Sequence, residues 1–406
     1  MNIGQAVSKL ADDGMDMPSD LEAGFAAAGP SLVSAASQGA ANRSEVTVLH
    51  VVEALLGGPA SYMREILPEQ EAHLGRQRIG LIIPRDQRSQ LPGHESYKTG
   101  YFTSRRPRFL NVLRLMAAIR KWLWQHDVDV IHAQGTFAGI AVRLALRGMS
   151  RRPKVVYCSH GWAFDRRTSA WKNHVAAAIE RFLAGWADSI VCISDHEYRS
   201  ALRVGIRQDR LFKIVTGINS LPPRPATPEV AWPEGKRRFL FVGRFDHQKG
   251  LELYLQAMQA LGANAHGYAI GQSAVKNPPR LEFPENVSRT GWLSRDMVQS
   301  YMESAEVLVM PSHWEGFGLT AIEAMRAGKA VIATRVGGLA EIVQEGVSGL
   351  LIEPGDLNGL ITAMASLTDD DVKRMGQAGR ARFLEHYQAD RMNRSLLSLY
   401  RLMKLG

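Results

Sequence analysis

Residues Val307–Thr334 read VLVMPSHWEGFGLTAIEAMRAGKAVIAT. A short apolar run, Val307–Met310, ends at a proline and a glycine-rich turn. A helical pattern carrying Glu323 follows, and then a second apolar run, Ala330–Thr334. Continuous apolar runs of this length, with a helix between them, describe strands covered on both faces, as in a parallel sheet flanked by helices. The same alternation extends in both directions. Phe239–Val242, Tyr268–Gly271 and Gly349–Ile352 complete a C-terminal series. Val46–Val52, Ile79–Ile83, Val128–His132, Lys154–Cys158, Ser189–Ile193 and Leu211–Val215 form an N-terminal one. Between the series lies Leu221–Gly235, with five prolines, which stiffen a chain and break helices and strands alike. The sequence therefore predicts an α/β protein of two doubly wound, Rossmann-like domains facing each other across a cleft. The expected divisions are a tail at 1–43, a domain at 44–220, a linker at 221–235, a domain at 236–386 and a terminal helix at 387–406. That helix, about Ala389–Leu405, places Met392, Leu396, Tyr400 and Met403 on one stripe.

Composition agrees. A chain of 406 residues exceeds one ordinary core, so two domains are expected. With 45% apolar and 22% charged residues it has the makeup of a globular protein rather than a disordered one. The two cysteines, Cys158 and Cys192, lack metal spacing and lie in strand patterns, so they read as buried thiols. The tail has Lys9 against Asp12, Asp13, Asp16, Asp20 and Glu22, with no apolar core for a signal peptide. It reads as a disordered extension or a start assigned too far upstream.

Charge is uneven. Residues 101–180 hold fourteen Lys or Arg against four Asp or Glu, more than the whole-chain excess of nine. Such a segment favours an anionic partner: lipid headgroups, a phosphorylated substrate or nucleic acid. No aromatic-interleaved motif supports nucleic acid. Arg108–His126 reads as an amphipathic helix, with Phe109, Val112, Leu113, Met116, Ile119 and Leu123 on one stripe and Arg114, Arg120 and Lys121 off it. Arg105, Arg106 and Arg108 precede it. Such a helix either packs on its sheet with a basic outer face or docks on anionic lipid.

In doubly wound sheets ligands collect beyond the carboxyl ends of the strands. Arg244 and Lys249, in VGRFDHQKG, follow one such strand and suit a diphosphate next to a helix N-terminus; two solvated cations are the plain alternative. Glu315 and Glu323, eight apart around a glycine-rich turn, are carboxylates of the kind that accept hydrogen bonds from sugar hydroxyls. Gly316 and Gly318 free backbone N–H groups at the helix start. Gly57-Gly58-Pro59 is a second glycine turn leading into a helix, equally readable as an ordinary turn. His160, in SHGW, ends a strand facing the expected cleft, and His132 ends another; a structural role is open for both. Neither a dinucleotide fingerprint nor an NTPase phosphate loop occurs, and no aspartate-rich metal signature is seen.

Together these motifs resemble the retaining glycosyltransferases of family 4, which have the GT-B fold. The likeness covers most of 46–404 and is most specific from Pro311 to Gly338, where Glu315 and Glu323 match a Glu-x7-Glu element. Arg244 and Lys249 match the family's phosphate-binding pair, HVVEALLGGPASY its N-terminal glycine loop and SHGWAF its His-Gly element. VCIS, ending at Ser194, and VTGIN also have counterparts, although Asn219 stands where Asp is more usual. The resemblance implies that Arg244 and Lys249 bind a donor diphosphate and that Glu323 holds the ribose. Glu315 and the backbone of Phe317, Gly318 and Leu319 would hold the sugar hydroxyls. His160 would sit near the reacting carbon and Gly58 near the phosphates or acceptor. The activity implied is transfer of a sugar from a nucleotide-sugar donor to a saccharide or lipid-linked saccharide in bacterial polysaccharide assembly. Retention of configuration and independence of metal and cofactor come with it. The expected location is the cytoplasm, at the inner face of the membrane. Rival readings are a nucleotide-sugar epimerase of the same fold and a non-catalytic nucleotide-sugar-binding protein.

Overall fold

The computed structural model describes residues 46–104, 109–165, 169–222, 230–273 and 281–405. The tail at 1–43, Arg105, Arg106, Arg108 and residues 223–229 of the proline-rich stretch lie outside them. The chain divides into two compact units. One contains the described residues up to Gly217 together with the segment from Ala389; the other is Ile218–Gln388.

The first unit is built on seven parallel strands: β1 (Val48–Val52), β2 (Ile79–Pro84), β3 (Lys98–Phe102), β4 (Val130–Gln134), β5 (Lys154–Cys158), β6 (Ser189–Cys192) and β7 (Leu211–Lys213). Their order is β3-β2-β1-β4-β5-β6-β7. Val48 pairs with Ile79 on one side and Val130 on the other, so the strand order reverses at β1 and β4. Every residue of β1, β2 and β4 is buried, as continuous apolar runs under two helical layers require. The helices are α1 (Gly58–Leu74), α2 (Leu110–Gln125), α3 (Thr136–Ala145), α4 (Ala170–Ala184) and α5 (Asp195–Arg203). Ser194 starts α5 by accepting from Glu197 N at 3.1 Å, a side-chain cap on an otherwise orphaned amide.

The second unit has six parallel strands in the order β10-β9-β8-β11-β12-β13. They are β8 (Arg237–Val242), β9 (Ala265–Ile270), β10 (Val287–Gly291), β11 (Val307–Met310), β12 (Ala330–Thr334) and β13 (Gly349–Ile352). Its helices are α6 (Leu251–Leu261), α7 (Arg295–Ser304), α8 (Leu319–Arg326), α9 (Leu339–Ile342), α10 (Leu357–Ser366) and α11 (Asp369–His386). Here the order reverses at β8 and β11.

The terminal helix α12 (Ala389–Leu405) belongs to the first unit. Met392, Leu396, Tyr400 and Met403 are all buried. Asn393 Nδ2 donates to the Glu65 carbonyl of α1 at 3.0 Å, and Lys404 pairs with Asp129 at 3.1 Å.

Three expectations are corrected. Strands β3 (KTGYF) and β10 (VSRTG) were not predicted. Both are edge strands with exposed or half-exposed residues, so neither carries a continuous apolar run. The buried line of α2 is Asn111, Leu115, Ile119 and Trp122. Phe109 and Leu113, assigned to the packed stripe, are 64% and 63% exposed.

Candidate active site

Loops that leave a sheet where its strand order reverses diverge and open a crevice. In the second unit these are the loops after β8 and β11, which carry Arg244, Lys249 and Glu315. Gly250 makes their approach possible. It has φ +66°, and a Cβ there would lie 2.0 Å from the Pro311 carbonyl oxygen. Only glycine fits.

The two loops are then tied together. His313 N donates to the Gln248 carbonyl at 2.9 Å, and Gln248 Nε2 donates to the Trp314 carbonyl at 3.3 Å. The Lys249 ammonium donates to the Glu315 carboxylate across 66 residues of sequence. Their side chains are 18% and 12% exposed. Arg244 donates to Gln248 Oε1 at 2.5 Å and pairs with Asp246 at 3.2 Å, so its guanidinium is held beside the same junction. The loop is fixed from behind by Gly337, where a Cβ would lie 1.8 Å from the Glu315 carbonyl oxygen.

Gly318, with φ +111°, begins α8, and Leu319 is its first residue. The first amides of a helix have no partner within it, and they carry the positive end of its dipole. Phe317 is buried and packs edge-on to Tyr387 at 6.1 Å between ring centroids, so its side chain is structural. Half-buried Glu323 lies four residues after Leu319 and shares its helix face. The structure thus brings Arg244, Lys249 and Glu315 together and places Gly318, Leu319 and Glu323 on the adjoining helix. The Lys249–Glu315 pairing itself was not foreseen: the sequence reading gave each its own ligand group.

A second cluster sits beside it. Glu252 Oε1 meets His247 Nδ1 at 3.0 Å and His313 Nε2 at 2.9 Å, and the two imidazoles stack at 4.1 Å between centroids. These three are the one group among the described residues whose donor atoms could share a metal ion. A ligating histidine normally gives its other N–H to an acceptor, yet His313 Nδ1 is buried with no partner. The cluster fits a hydrogen-bonded clamp between the loops better than a metal centre.

In the first unit, Gly57 (φ +63°) caps α1, and Gly58 is that helix's first residue. A Cβ on Gly58 would meet no atom within 4 Å, so packing alone does not require glycine there. His160 follows β5 with φ +53°, the one non-glycine residue of positive φ among the described residues; such backbone strain gathers at functional sites. Its Nε2 hydrogen-bonds Gln134 Oε1 at 2.6 Å, and Tyr62 packs edge-on at 4.7 Å. Burial pushes its pKa down to about 4, so the imidazole is neutral at ordinary pH. Neither Tyr62 nor Gln134 was singled out from sequence, since each reads as an ordinary helix or strand residue. His132 is wholly buried and bonded to the Tyr400 hydroxyl at 2.6 Å, which makes it part of the α12 seam. Cys158 and Cys192 are buried free thiols whose pKa values burial raises well above normal. Asn219 accepts from Leu221 N at 2.9 Å and closes a turn.

Comparison with known proteins places these observations in a family. The model of glycosyl transferases group 1 matches residues 225–382, and that of the glycosyl transferase 4-like domain matches 57–214. A Klebsiella pneumoniae protein of the cps region, uncharacterized and of 41.2 kDa, is 31% identical over 333 residues, covering 80% of this chain and 90% of that one. The lipopolysaccharide core biosynthesis mannosyltransferase LpsB of Rhizobium meliloti (strain 1021) is 31% identical over 307 residues, covering 69% and 79%. Among solved structures, Anabaena Alr3699/HepE in complex with UDP-glucose superposes with a TM-score of 0.72 at 18% identity, covering 87% and 98%. The chain belongs to the glycosyltransferases of family 4, whose fold is GT-B.

Proposed function

We propose that this glycosyltransferase moves a sugar from a nucleotide-sugar donor to a saccharide or lipid-linked saccharide in bacterial polysaccharide assembly, with retention of configuration and without a metal ion. The observation that carries this reading is the junction of Arg244, Lys249 and Glu315 at the start of α8. Breaking a glycosyl–phosphate bond builds negative charge on the leaving diphosphate. Two cations and a helix N-terminus answer that charge without a metal. Lys249 is paired with Glu315. Diphosphate then takes over the ammonium, and the released carboxylate is left to accept from sugar hydroxyls. Glu323, on the same helix, is the candidate partner for the ribose. His160, neutral and donating its one N–H to Gln134, brings no charge to the sugar face. An open site over Gly58 suits a phosphate or acceptor group brought close to the backbone. The names of relatives support the reading: LpsB is a mannosyltransferase of lipopolysaccharide core biosynthesis, and HepE was solved with UDP-glucose. The basic excess of residues 101–180 accords with an acceptor presented at the inner face of the cytoplasmic membrane, where we place the enzyme as a peripheral protein.

Thermal-shift titration with UDP-, GDP- and ADP-sugars, with and without EDTA, tests the donor. One series should raise Tm, with the rise and subsequent transfer unaffected by chelator. Nuclear magnetic resonance of the product should show the donor's anomeric configuration. Loss of transfer in EDTA or an inverted product overturns the corresponding part. Release of a free epimerised nucleotide sugar without acceptor favours an epimerase, and binding without turnover favours a non-catalytic role.

A further inference from the structure

A helix on the surface of a sheet normally turns its bulky apolar side chains inward. The helix α4 does the reverse. Toward the protein it presents Ala176, Ala177, Glu180, Leu183 and Ala184. Glu180 is tolerated inside because Arg143 pairs with it at 3.0 Å and the Tyr157 hydroxyl donates to it at 2.8 Å. Outward stand Trp171, Val175, Ile179 and Phe182, exposed by 66%, 49%, 44% and 66%. They are spaced four, four and three apart, so they form one line about 17 Å long at 1.5 Å per residue. Isolated surface hydrophobics are ordinary; a continuous line of four, two of them aromatic, marks a face that something covers.

The exposed charges of α4 itself have one sign. Lys172 and Arg181 are exposed on α4, and the helix's single acid is the buried Glu180. The helix α2 packs into the same core on the same side of the sheet. It adds Phe109, Leu113 and Trp124, all more than 60% exposed, with exposed Arg120 and Lys121. A second copy docking here by a two-fold axis would set these cations against each other. An anionic bilayer complements both the charge and the apolar line.

We propose that this face of the N-terminal unit is a lipid-docking surface, on which α4 lies in the plane of an anionic membrane. Trp171, Val175, Ile179 and Phe182 enter the boundary between headgroups and acyl chains. Lys172 and Arg181, with Arg120 and Lys121 of α2, meet the headgroups. This deepens the membrane-surface reading above by naming its seat and its ligand, and it is measured without sugar transfer, so the two can fail separately.

The test is co-sedimentation of the full chain with phosphatidylcholine vesicles, alone or containing phosphatidylglycerol, at low and high salt. Wild type should partition to the anionic vesicles about tenfold or more above the neutral ones, less so in high salt. Trp171→Ser with Phe182→Ser, both at exposed positions, should lower that partition about tenfold or more while leaving Tm and its shift by nucleotide sugar unchanged. Leu113→Ser with Trp124→Ser should cost less. Equal partition to both vesicles, or unchanged binding by the α4 variant, overturns the proposal. So does light scattering that shows a wild-type dimer made monomeric by the α4 variant, since the face would then be a self-association surface.

Discussion

Cutting the Lys249–Glu315 contact from its two ends should have unequal consequences. The side chains are only 18% and 12% exposed, so water screens the pair incompletely. At an effective dielectric of about 20, unit charges about 4 Å apart attract by roughly 4 kcal/mol, part of which desolvation offsets. Replacing Lys249 by alanine removes the cation and leaves a carboxylate where the proposed function seats a diphosphate. Losing one group that stabilises developing charge costs about 2.7–4 kcal/mol, a fall in turnover of about 10²–10³-fold. Repulsion from Glu315 adds to that loss. Glu315→Gln acts differently, because Lys249 keeps its charge and loses its competitor while the sugar loses an ionic acceptor. Calorimetric titration of UDP and GDP, combined with initial-rate kinetics, separates the two. Lys249→Ala should lose both diphosphate affinity and turnover. Glu315→Gln should keep or gain diphosphate affinity and lose turnover. The double variant should recover about tenfold of the affinity lost by Lys249→Ala, a coupling of about 1.4 kcal/mol. Near-normal turnover of Lys249→Ala, or equal losses of diphosphate affinity in the two single variants, would refute the assignment.

Three further outcomes are expected. Gly58→Ala should leave Tm within about 1 °C, because the new Cβ meets nothing within 4 Å; transfer should fall if a ligand closes on that backbone, and unchanged kinetics would remove Gly58 from the site. Arg143→Ala should destabilise the first unit by about 3–5 kcal/mol in chemical denaturation, since it strands the Glu180 carboxylate in the interior; a loss under about 1 kcal/mol would show the pair to be dispensable. Acid should weaken the first unit. Burial holds His50 and His160 at about 4 and His132 well below the usual 6.5, so the unfolded chain binds these protons first. Their contribution is complete above about pH 6.5 and is lost as pH falls toward 4, with wholly buried His50 alone worth on the order of 3 kcal/mol. Glu197, pushed up to about 7 by burial, acts in the opposite sense, its contribution fading as pH rises through 7. Thermal melts should show Tm climbing from pH 4 to about 6.5, and a flat profile would contradict the buried, neutral imidazoles.

Central strands were legible in the sequence because burial on both faces leaves a continuous apolar run, as in Val48–Val52 and Val307–Met310. Of the four edge strands, β7 and β13 keep apolar residues and were legible too; β3 and β10 were not, because KTGYF and VSRTG answer to solvent on one side and have no such pattern. The α2 stripe was misplaced for a related reason. Its apolar residues are numerous enough to fill two faces, and periodicity alone did not distinguish the Leu115–Trp122 line from the Leu113 side. Motif reading singled out Arg244, Lys249, Glu315 and Glu323 because those residue types are what the proposed chemistry demands. It could not find the Lys249–Glu315 bond, which depends on two loops being brought together by Gly250 and the Gln248 bridge. The strained backbone of His160 and its seat between Tyr62 and Gln134 are likewise products of the folded chain.

The helix α12 imposes an order on synthesis. Tyr400 closes over His132 and Gln70, and Asn393 ties to the backbone of α1, so the first unit lacks one wall until Ala389–Leu405 has been synthesised. The half begun first is therefore completed only after the second unit has been made. Shortening the carboxyl end by a few turns would uncover buried imidazoles in a part of the protein more than two hundred residues upstream, and a fragment ending near Gly217 should be a poor candidate for independent expression.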